Sequence, residues 1–404
     1  MKTYIILGAA GGYISGAPIY QRNKAMYMKE QGWNVYYIST CHGKVYVKGL
    51  EQFIVATCTF LCKEAYVYPR NKQKELIQYI IKKIPLIGKN SEIVIESGTY
   101  YTAYWGELLA KELKAKHIVV YLDEKNDGFN KRQADFFKFK FKRHELACIK
   151  EETMIKIFSP FWSIDENNAI GLPCFCTNSV EDYQSDITNN IVISDYNIGY
   201  IGRLEKNVFK VISKAIIDFA NLYPDKNISF ICFGGAEDII IQHIKQSFQD
   251  IKNITLYISG YIFPIPLNAI KKCDFYISSA GSCSVSIKAG IPTLKINVYT
   301  EQPEGIMKII RDKEPIKCPF GNTILNYIEM FFINKLDIHI KPVEINIEKE
   351  LMKNCLDKHI LFLDKTSPNN EYYDIGKIQC SFYQKICKFL IAILGNRIVK
   401  YLNI

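Results

Sequence analysis

Arg203 and Lys206 are the two side chains that spacing alone best equips for chemistry. They sit in the stretch Ile198-Gly199-Tyr200-Ile201-Gly202-Arg203-Leu204-Glu205-Lys206, where an apolar run stops at a glycine and a charged turn follows. From Val208 to Leu222 apolar residues then recur at helical spacing. The pattern predicts strand, tight turn, helix. In open α/β sheets, ligands bind beyond the C-terminal ends of parallel strands. Two cations backed by a helix N-terminus suit a diphosphate. A solvated turn whose charges bind nothing has the same spacing.

Carboxylates come next. Asp123 and Glu124 follow the apolar run Ile118–Leu122, and Glu96 ends a run of its own. At the end of a strand facing a cleft, such a group can take a proton from an acceptor hydroxyl. The pair would serve equally as a helix N-cap or a surface charge. Near the start, Tyr4–Leu7 runs into Gly8-Ala9-Ala10-Gly11-Gly12, and Gly16 opens the next helical pattern. Glycines permit close backbone approach to a ligand, and Gly12 and Gly16 are the candidates. The spacing is not Gly-x-Gly-x-x-Gly, so a dinucleotide fingerprint is unsupported, and a plain structural loop is the alternative.

Other chemistries lack their residues. The six histidines form no close pair with metal-ligand spacing, and no Asp-x-Asp occurs. No Walker loop and no Gly-x-Ser-x-Gly elbow is present. Lys131-Arg132 and Phe136 to Arg143 interleave aromatics with cations. That mixture fits an anionic lipid surface, a nucleic-acid stacking platform, or an element edge with solvated lysines.

The elements that must position these residues follow from the wider pattern. The chain has 404 residues, 48% hydrophobic and 23% charged, with a net charge of +10. Length and composition predict two or three folded domains. The positive balance favours an anionic partner: a nucleotide, a membrane surface or nucleic acid. The last is disfavoured, because no zinc-finger spacing or RNP-like motif appears. The 13 cysteines are odd in number and scattered, which fits a reduced cytoplasm. No signal peptide is read, and Phe389–Leu394, the longest apolar run near the C-terminus, is too short to span a bilayer.

Strand-like runs at Tyr4–Leu7, Val35–Ser39, Phe53–Ala56, Ile93–Glu96, Ile118–Leu122 and Ile155–Phe158 alternate with helical patterns. A polar segment from Cys174 to Asn197 interrupts the rhythm. A second alternating block follows, with strands at Ile198–Ile201, Ser229–Phe233, Thr255–Ile258, Phe275–Ser278 and Thr293–Ile296, and helices including Val208–Leu222 and Pro266–Lys272. The expected architecture is α/β, two Rossmann-like domains facing a cleft with a C-terminal helical tail. Their bounds are residues 1–177, 190–335 and 336–404. The tail mixes Lys377, Lys385, Lys388, Arg397 and Lys400 with Phe, Ile and Leu, and its apolar face is not clean on a helical wheel.

Several short motifs now carry a resemblance. Gly202-Arg203-Leu204-Glu205-Lys206 after a strand resembles the second-domain signature of GT-B glycosyltransferases of the family 4 type. Phe233-Gly234-Gly235, Gly260-Tyr261, Ile270-Lys271-Lys272-Cys273-Asp274, Ser278 to Ser282 and Ala289 to Thr293 are similar to successive segments of that domain. Gly16-Ala17-Pro18, Glu96-Ser97-Gly98 and Trp105-Gly106-Glu107 resemble bacterial polysaccharide-assembly members. The likeness spans roughly residues 1 to 335 at the level of architecture.

The resemblance implies a nucleotide-sugar donor and a glycan or lipid-linked acceptor, no cofactor, and a setting at the inner face of a bacterial plasma membrane. Arg203 and Lys206 would hold the diphosphate, main-chain atoms around Tyr261 the base, and Ser282, Ser284 and neighbouring amides the phosphate or sugar hydroxyls. One departure stands out. The family carries two glutamates here, the second near the position of Lys288. A cation cannot accept hydroxyl hydrogen bonds. Lys288 could instead pair with a donor phosphate or a sugar carboxylate, mark an inactive donor site, or sit on a solvated helix face. A sugar-nucleotide-binding subunit without turnover is therefore the rival reading, with a Rossmann-type oxidoreductase behind it.

Overall fold

The computed structural model describes residues 1–85, 92–123, 131–310, 312–336, 338, 340, 345–367 and 371–395, without the side chains of 345–349. The chain divides into one compact unit formed by Met1–Cys176 with Glu350–Ile404, and another formed by Thr177–Lys349.

The first unit begins β1 (Lys2–Gly8), α1 (Gly16–Glu30), β2 (Asn34–Ser39), β3 (Ile54–Thr57), α2 (Arg70–Lys83), β4 (Glu92–Ser97) and α3 (Tyr100–Leu113). It continues with β5 (Lys116–Tyr121), α4 (Lys131–Lys142), β6 (Leu146–Cys148) and α5 (Glu151–Phe158). Its six strands lie in the order β3-β2-β1-β4-β5-β6, all parallel. Tyr4 to Leu7 of β1 are fully buried, as a continuous apolar run in a sheet covered on both faces must be. Trp105, Tyr104, Phe136, Phe137 and Phe158 fill one side of that core.

The second unit runs β7 (Val180–Glu181), α6 (Asp186–Asn190), β8 (Tyr196–Ile201), α7 (Asn207–Leu222), β9 (Ile228–Phe233), α8 (Asp238–Phe248) and β10 (Ile254–Ile258). Then come β11 (Ile265–Pro266), α9 (Leu267–Ile270), β12 (Phe275–Ser279), α10 (Ser282–Lys288), β13 (Thr293–Ile296), β14 (Pro303–Met307) and α11 (Ile324–Phe332). Its sheet repeats the pattern of the first, β10-β9-β8-β12-β13-β14, with β14 antiparallel. Helix α7 forms because Val208, Phe209, Ile212, Ile216 and Phe219 fall on one stripe, and that stripe is buried. Among the described residues two further helices follow, α12 (Ile345–Lys365) and α13 (Phe382–Leu394). Leu356, Phe362, Cys387 and Ile391 are buried.

Three local expectations are corrected. Ile155–Phe158 is the end of helix α5, not a strand: Met154, Ile157 and Phe158 are buried at helical spacing. The neighbouring strand is instead β6, whose three residues are too few to show a period. Pro266–Lys272 shrinks to the single turn of α9. The aromatic and basic stretch is helix α4, and Phe136, Phe137 and Lys140 on it are buried. Those side chains belong to the core and are not offered to lipid or nucleic acid.

Candidate functional site

In the second unit, the chain goes from β8 outward to β9 and β10, then returns to the other side of β8 as β12. The strand order therefore reverses between β8 and β12, and the crevice outside their carboxyl ends is where such sheets take ligands. Two segments border it. One is the β8–α7 turn with Arg203 and Lys206, the other the β12–α10 turn with Ser282 and Ser284. The two strands are also tied by Ile201 N–H donating to Ser278 Oγ at 3.2 Å.

Glycines let the turns crowd together. Gly202 N–H donates to the Phe233 carbonyl at 3.2 Å, and Leu204 N–H to that of Gly235 at 3.2 Å. A Cβ on Gly234 would collide with the Gly202 carbonyl oxygen. The β8 and β9 loops thus touch backbone to backbone, which explains the Gly-Gly pair after β9 without any ligand. Tyr261, after β10, packs against Gly235.

The electrostatics of the β8–α7 turn are unbalanced. Arg203 is half-exposed and its Nη1 lies 3.4 Å from Glu205 Oε1, while the Tyr200 hydroxyl donates to the Arg203 carbonyl at 3.1 Å. Lys206, the N-cap of α7, is half-buried, and burial followed by the charge of Arg203 lowers its pKa, against the pull of Glu205. Neither the α7 N-cap Lys206 nor the α10 N-cap Gly281 makes a side-chain capping bond. Phe209 N–H donates to the Lys206 carbonyl at 3.0 Å and Ser284 N–H to that of Gly281 at 3.1 Å, so each first turn is partly satisfied, while the two cations of the β8–α7 turn outnumber its one carboxylate, Glu205. Ser284 Oγ donates to the Gly281 carbonyl at 2.8 Å. Buried Ser286 Oγ pairs with Thr293 Oγ1 at 2.6 Å and is structural. Lys288 is the last residue of α10 and is half-buried. A separate cavity of about 530 Å³ opens between α7 and α8, with Leu204, Phe209, Ile217 and Ile244 in its lining. Its largely apolar walls do not suit a diphosphate.

The first unit holds Gly12 and Gly16 at the matching reversal, between β1 and β4. Gly12 N–H donates to the Lys44 carbonyl at 3.0 Å, and a Cβ on Gly11 would stand 3.0 Å from the Gly43 carbonyl oxygen. The glycine loop is thus committed to the loop after β2. Gly16 packs against the Cys176 side chain. Asp123 is exposed, two residues past β5, while Glu124 lies outside the described residues.

Two buried networks escaped the sequence. Glu96 accepts hydrogen bonds from the hydroxyls of Tyr4 and Tyr20, the latter at 2.8 Å, and Tyr20 Oη lies 3.3 Å from His359 Nδ1 of α12. Fully buried Lys24 makes no hydrogen bond through Nζ, and burial lowers its pKa to about 8 against the raising effect of Glu96. Tyr20 and Lys24 on α1 show an i, i+4 spacing that hints at a shared face, but His359 lies more than 300 residues away. In the other network Ser97 Oγ is 3.1 Å from His117 Nε2, and His117 Nδ1 is 2.8 Å from Glu107 Oε2. This resembles a nucleophile triad in connectivity. All three groups are buried and Ser97 donates to the Thr102 carbonyl at 3.0 Å, so it is a core network. Among the described residues, no group of three or more His, Cys, Asp or Glu side chains is placed to hold a metal ion.

Two Rossmann-like units in one chain define the GT-B class of fold, and solved structures agree. The chain is similar to a glycosyltransferase from Rickettsia africae ESF-5, with TM-score 0.54 and 12% identity over 98% of this chain and 99% of that one. It is also similar to the catalytic domain of starch synthase IV from Arabidopsis thaliana bound to ADP and acarbose, with TM-score 0.51 and 12% identity over 90% and 99%. Identities this low speak to the fold alone. No family model and no curated protein matches the sequence.

Proposed function

We propose that this protein is a glycosyltransferase of the family 4 type, moving a sugar from a nucleotide donor to a glycan or lipid-linked acceptor. The reading rests on one observation above all: Arg203 and Lys206 project from the turn at the strand-order reversal of the second sheet, where positive charge is in excess. A diphosphate there would relieve the repulsion between the two cations and accept from the amides at the very start of α7 and α10, ahead of Phe209 and Cys283, whose N–H groups donate to backbone carbonyls. As the glycosidic bond breaks, the leaving phosphate gains charge, so the same groups stabilise the transition state more than the ground state. No metal is needed for that step. Tyr261 borders the base, Ser282 and Ser284 the phosphate or sugar hydroxyls, and Asp123 or Glu124 receives the acceptor proton. The setting is surface-polysaccharide or capsule assembly at the cytoplasmic face of a bacterial plasma membrane.

One observation favours a second reading. Lys288 occupies the end of α10, where the family type has a glutamate. A donor-binding subunit without turnover would tolerate that exchange. Mass spectrometry of products across a panel of nucleotide sugars separates the two readings.

Binding tests both. Arg203→Ala and Lys206→Ala should each weaken nucleoside-diphosphate binding by about 1.5–3 kcal/mol, the range for hydrogen bonds to charged groups, and weaken turnover further. Isothermal calorimetry with UDP, ADP and GDP measures this, beside circular dichroism to confirm folding. A folded double variant that binds every diphosphate as the parent does would remove the site.

A further inference from the structure

The residues from Phe382 to Leu394, Phe-Tyr-Gln-Lys-Ile-Cys-Lys-Phe-Leu-Ile-Ala-Ile-Leu, are apolar on two sides of a helix rather than one. One side is accounted for. Cys387 and Ile391 are buried in the core of the first unit, Lys388 Nζ donates to the Tyr66 carbonyl at 2.9 Å, and Gln384 reaches Glu64. Ser381 caps the helix with Gln384 in a reciprocal box. The helix is therefore firmly seated.

The other side faces water. Phe382 is 81% exposed, Phe389 64% and Ile393 63%, and Ile386, Tyr383 and Leu394 are exposed beside them. Phe382, Ile386, Phe389 and Ile393 recur at i, i+4, i+7 and i+11, which is one line along a helix. Elsewhere among the described residues, exposed large apolar side chains stand singly or in adjacent pairs, as on any soluble surface. A continuous stripe on one helix marks an interaction surface.

Charge identifies what covers it. After Asp374 the sequence contains no aspartate or glutamate, but it holds Lys377, Lys385, Lys388, Arg397 and Lys400. Two copies meeting through this stripe would bring like charges together. An anionic bilayer offers opposite charge beside an apolar interior. The helix has 13 residues, about 20 Å, against the roughly 30 Å of a hydrocarbon core. It is thus sized to lie in the plane of the interface.

We propose that α13 is a membrane-docking surface, inserting Phe382, Ile386, Phe389 and Ile393 into the interface of an anionic phospholipid bilayer while exposed Lys385 meets the headgroups. This deepens the membrane setting proposed above and is independent of the donor chemistry.

The test is cosedimentation of the full chain with vesicles of phosphatidylcholine alone or with phosphatidylglycerol. The parent should partition onto anionic vesicles, weakly onto neutral ones, and less in 1 M salt. The double variant Phe389→Glu with Ile393→Glu should lose at least about tenfold in partition, since each side chain forfeits apolar burial. Ile239→Glu, at an exposed isoleucine on α8, should bind vesicles as the parent does. Circular dichroism and diphosphate calorimetry should be unchanged in the double variant, which keeps failure of docking distinct from failure of the donor site. Equal binding to neutral and anionic vesicles overturns the proposal. So does parent-like partition of the double variant, or a dimer seen by ultracentrifugation that it abolishes while no vesicle binding occurs.

Discussion

Replacing Lys140 by methionine gives a sharp test of how the first unit is held together. Lys140 is buried, and its Nζ sits 2.6 Å from Glu107 Oε2, 2.8 Å from Glu145 Oε2 and 3.0 Å from the His117 carbonyl. Glu145 keeps a partner in the variant, because Arg143 lies 3.1 Å from its other oxygen. Glu107 keeps only neutral donors, His117 and the Tyr373 N–H at 2.7 Å. The loss therefore falls on one buried carboxylate. Removing one partner of a buried pair costs about 3–5 kcal/mol, a large share of the ~5–15 kcal/mol by which domains are stable.

The pH dependence follows from Glu107. Burial pushes its carboxyl upward, but the charge of Lys140 and the bond from His117 prevail and hold it near 2. In the parent, its contribution is complete above the ordinary value of 4.5 and is lost as pH falls from there towards 2. In Lys140→Met burial prevails and the carboxyl rises above 4.5, so the variant recovers by taking up a proton as pH falls. The gap between the proteins should thus be widest at pH 7.5 and narrower at pH 5. All three tryptophans, Trp33, Trp105 and Trp162, lie in the first unit, so fluorescence during urea unfolding reads that unit. With a urea slope of ~1–3 kcal/mol/M, the midpoint should drop by at least ~1 M at pH 7.5. Glu107→Gln added to Lys140→Met should restore much of it. An unchanged midpoint at pH 7.5, or a loss equal at both pH values, refutes the reasoning.

Two further outcomes are expected. Gly234→Ala forces the β8 and β9 loops apart at the Gly202 carbonyl. It should cost the second unit about 1–3 kcal/mol, as overpacking does, and weaken diphosphate binding with it; unaltered calorimetric unfolding and binding would show the loops yield freely. Lys24→Met removes an amine whose pKa burial depresses from 10.5 to about 8, a penalty of about 3 kcal/mol at neutral pH. Its melting temperature should equal or exceed the parent's. The parent itself should gain stability as pH rises between about 8 and 10.5, where the folded state sheds that proton first. A fall of several degrees in the variant would mean that Lys24 is held by an interaction that outweighs the cost of its burial.

Much of this protein was legible in its residues, and the reason is local. The stripe of α7 has a helical period, runs such as Ile198–Ile201 are short and apolar and stop at a glycine, and alternating the two leads to parallel sheets with helices between. The Arg203 turn could be found because strand, turn and helix are contiguous. Short elements failed, since Leu146–Cys148 has too few residues for a period and Ile155–Phe158 taken without Met154 reads as a strand. Composition misled at α4, where Lys140 reads as solvated until Glu107 of α3 and Glu145, just past the end of α4, surround it.

The sequence by itself determined the longer strands and helices, because backbone geometry and side-chain period act over a few residues. Only the tertiary structure decided which charges are buried and which apolar faces are left in water. Tyr20 meets both Glu96 and His359, joining three elements, and α13 spends one apolar side on the core and leaves Phe382, Phe389 and Ile393 exposed. Burial and pairing depend on what the rest of the chain brings alongside, and no local period records that.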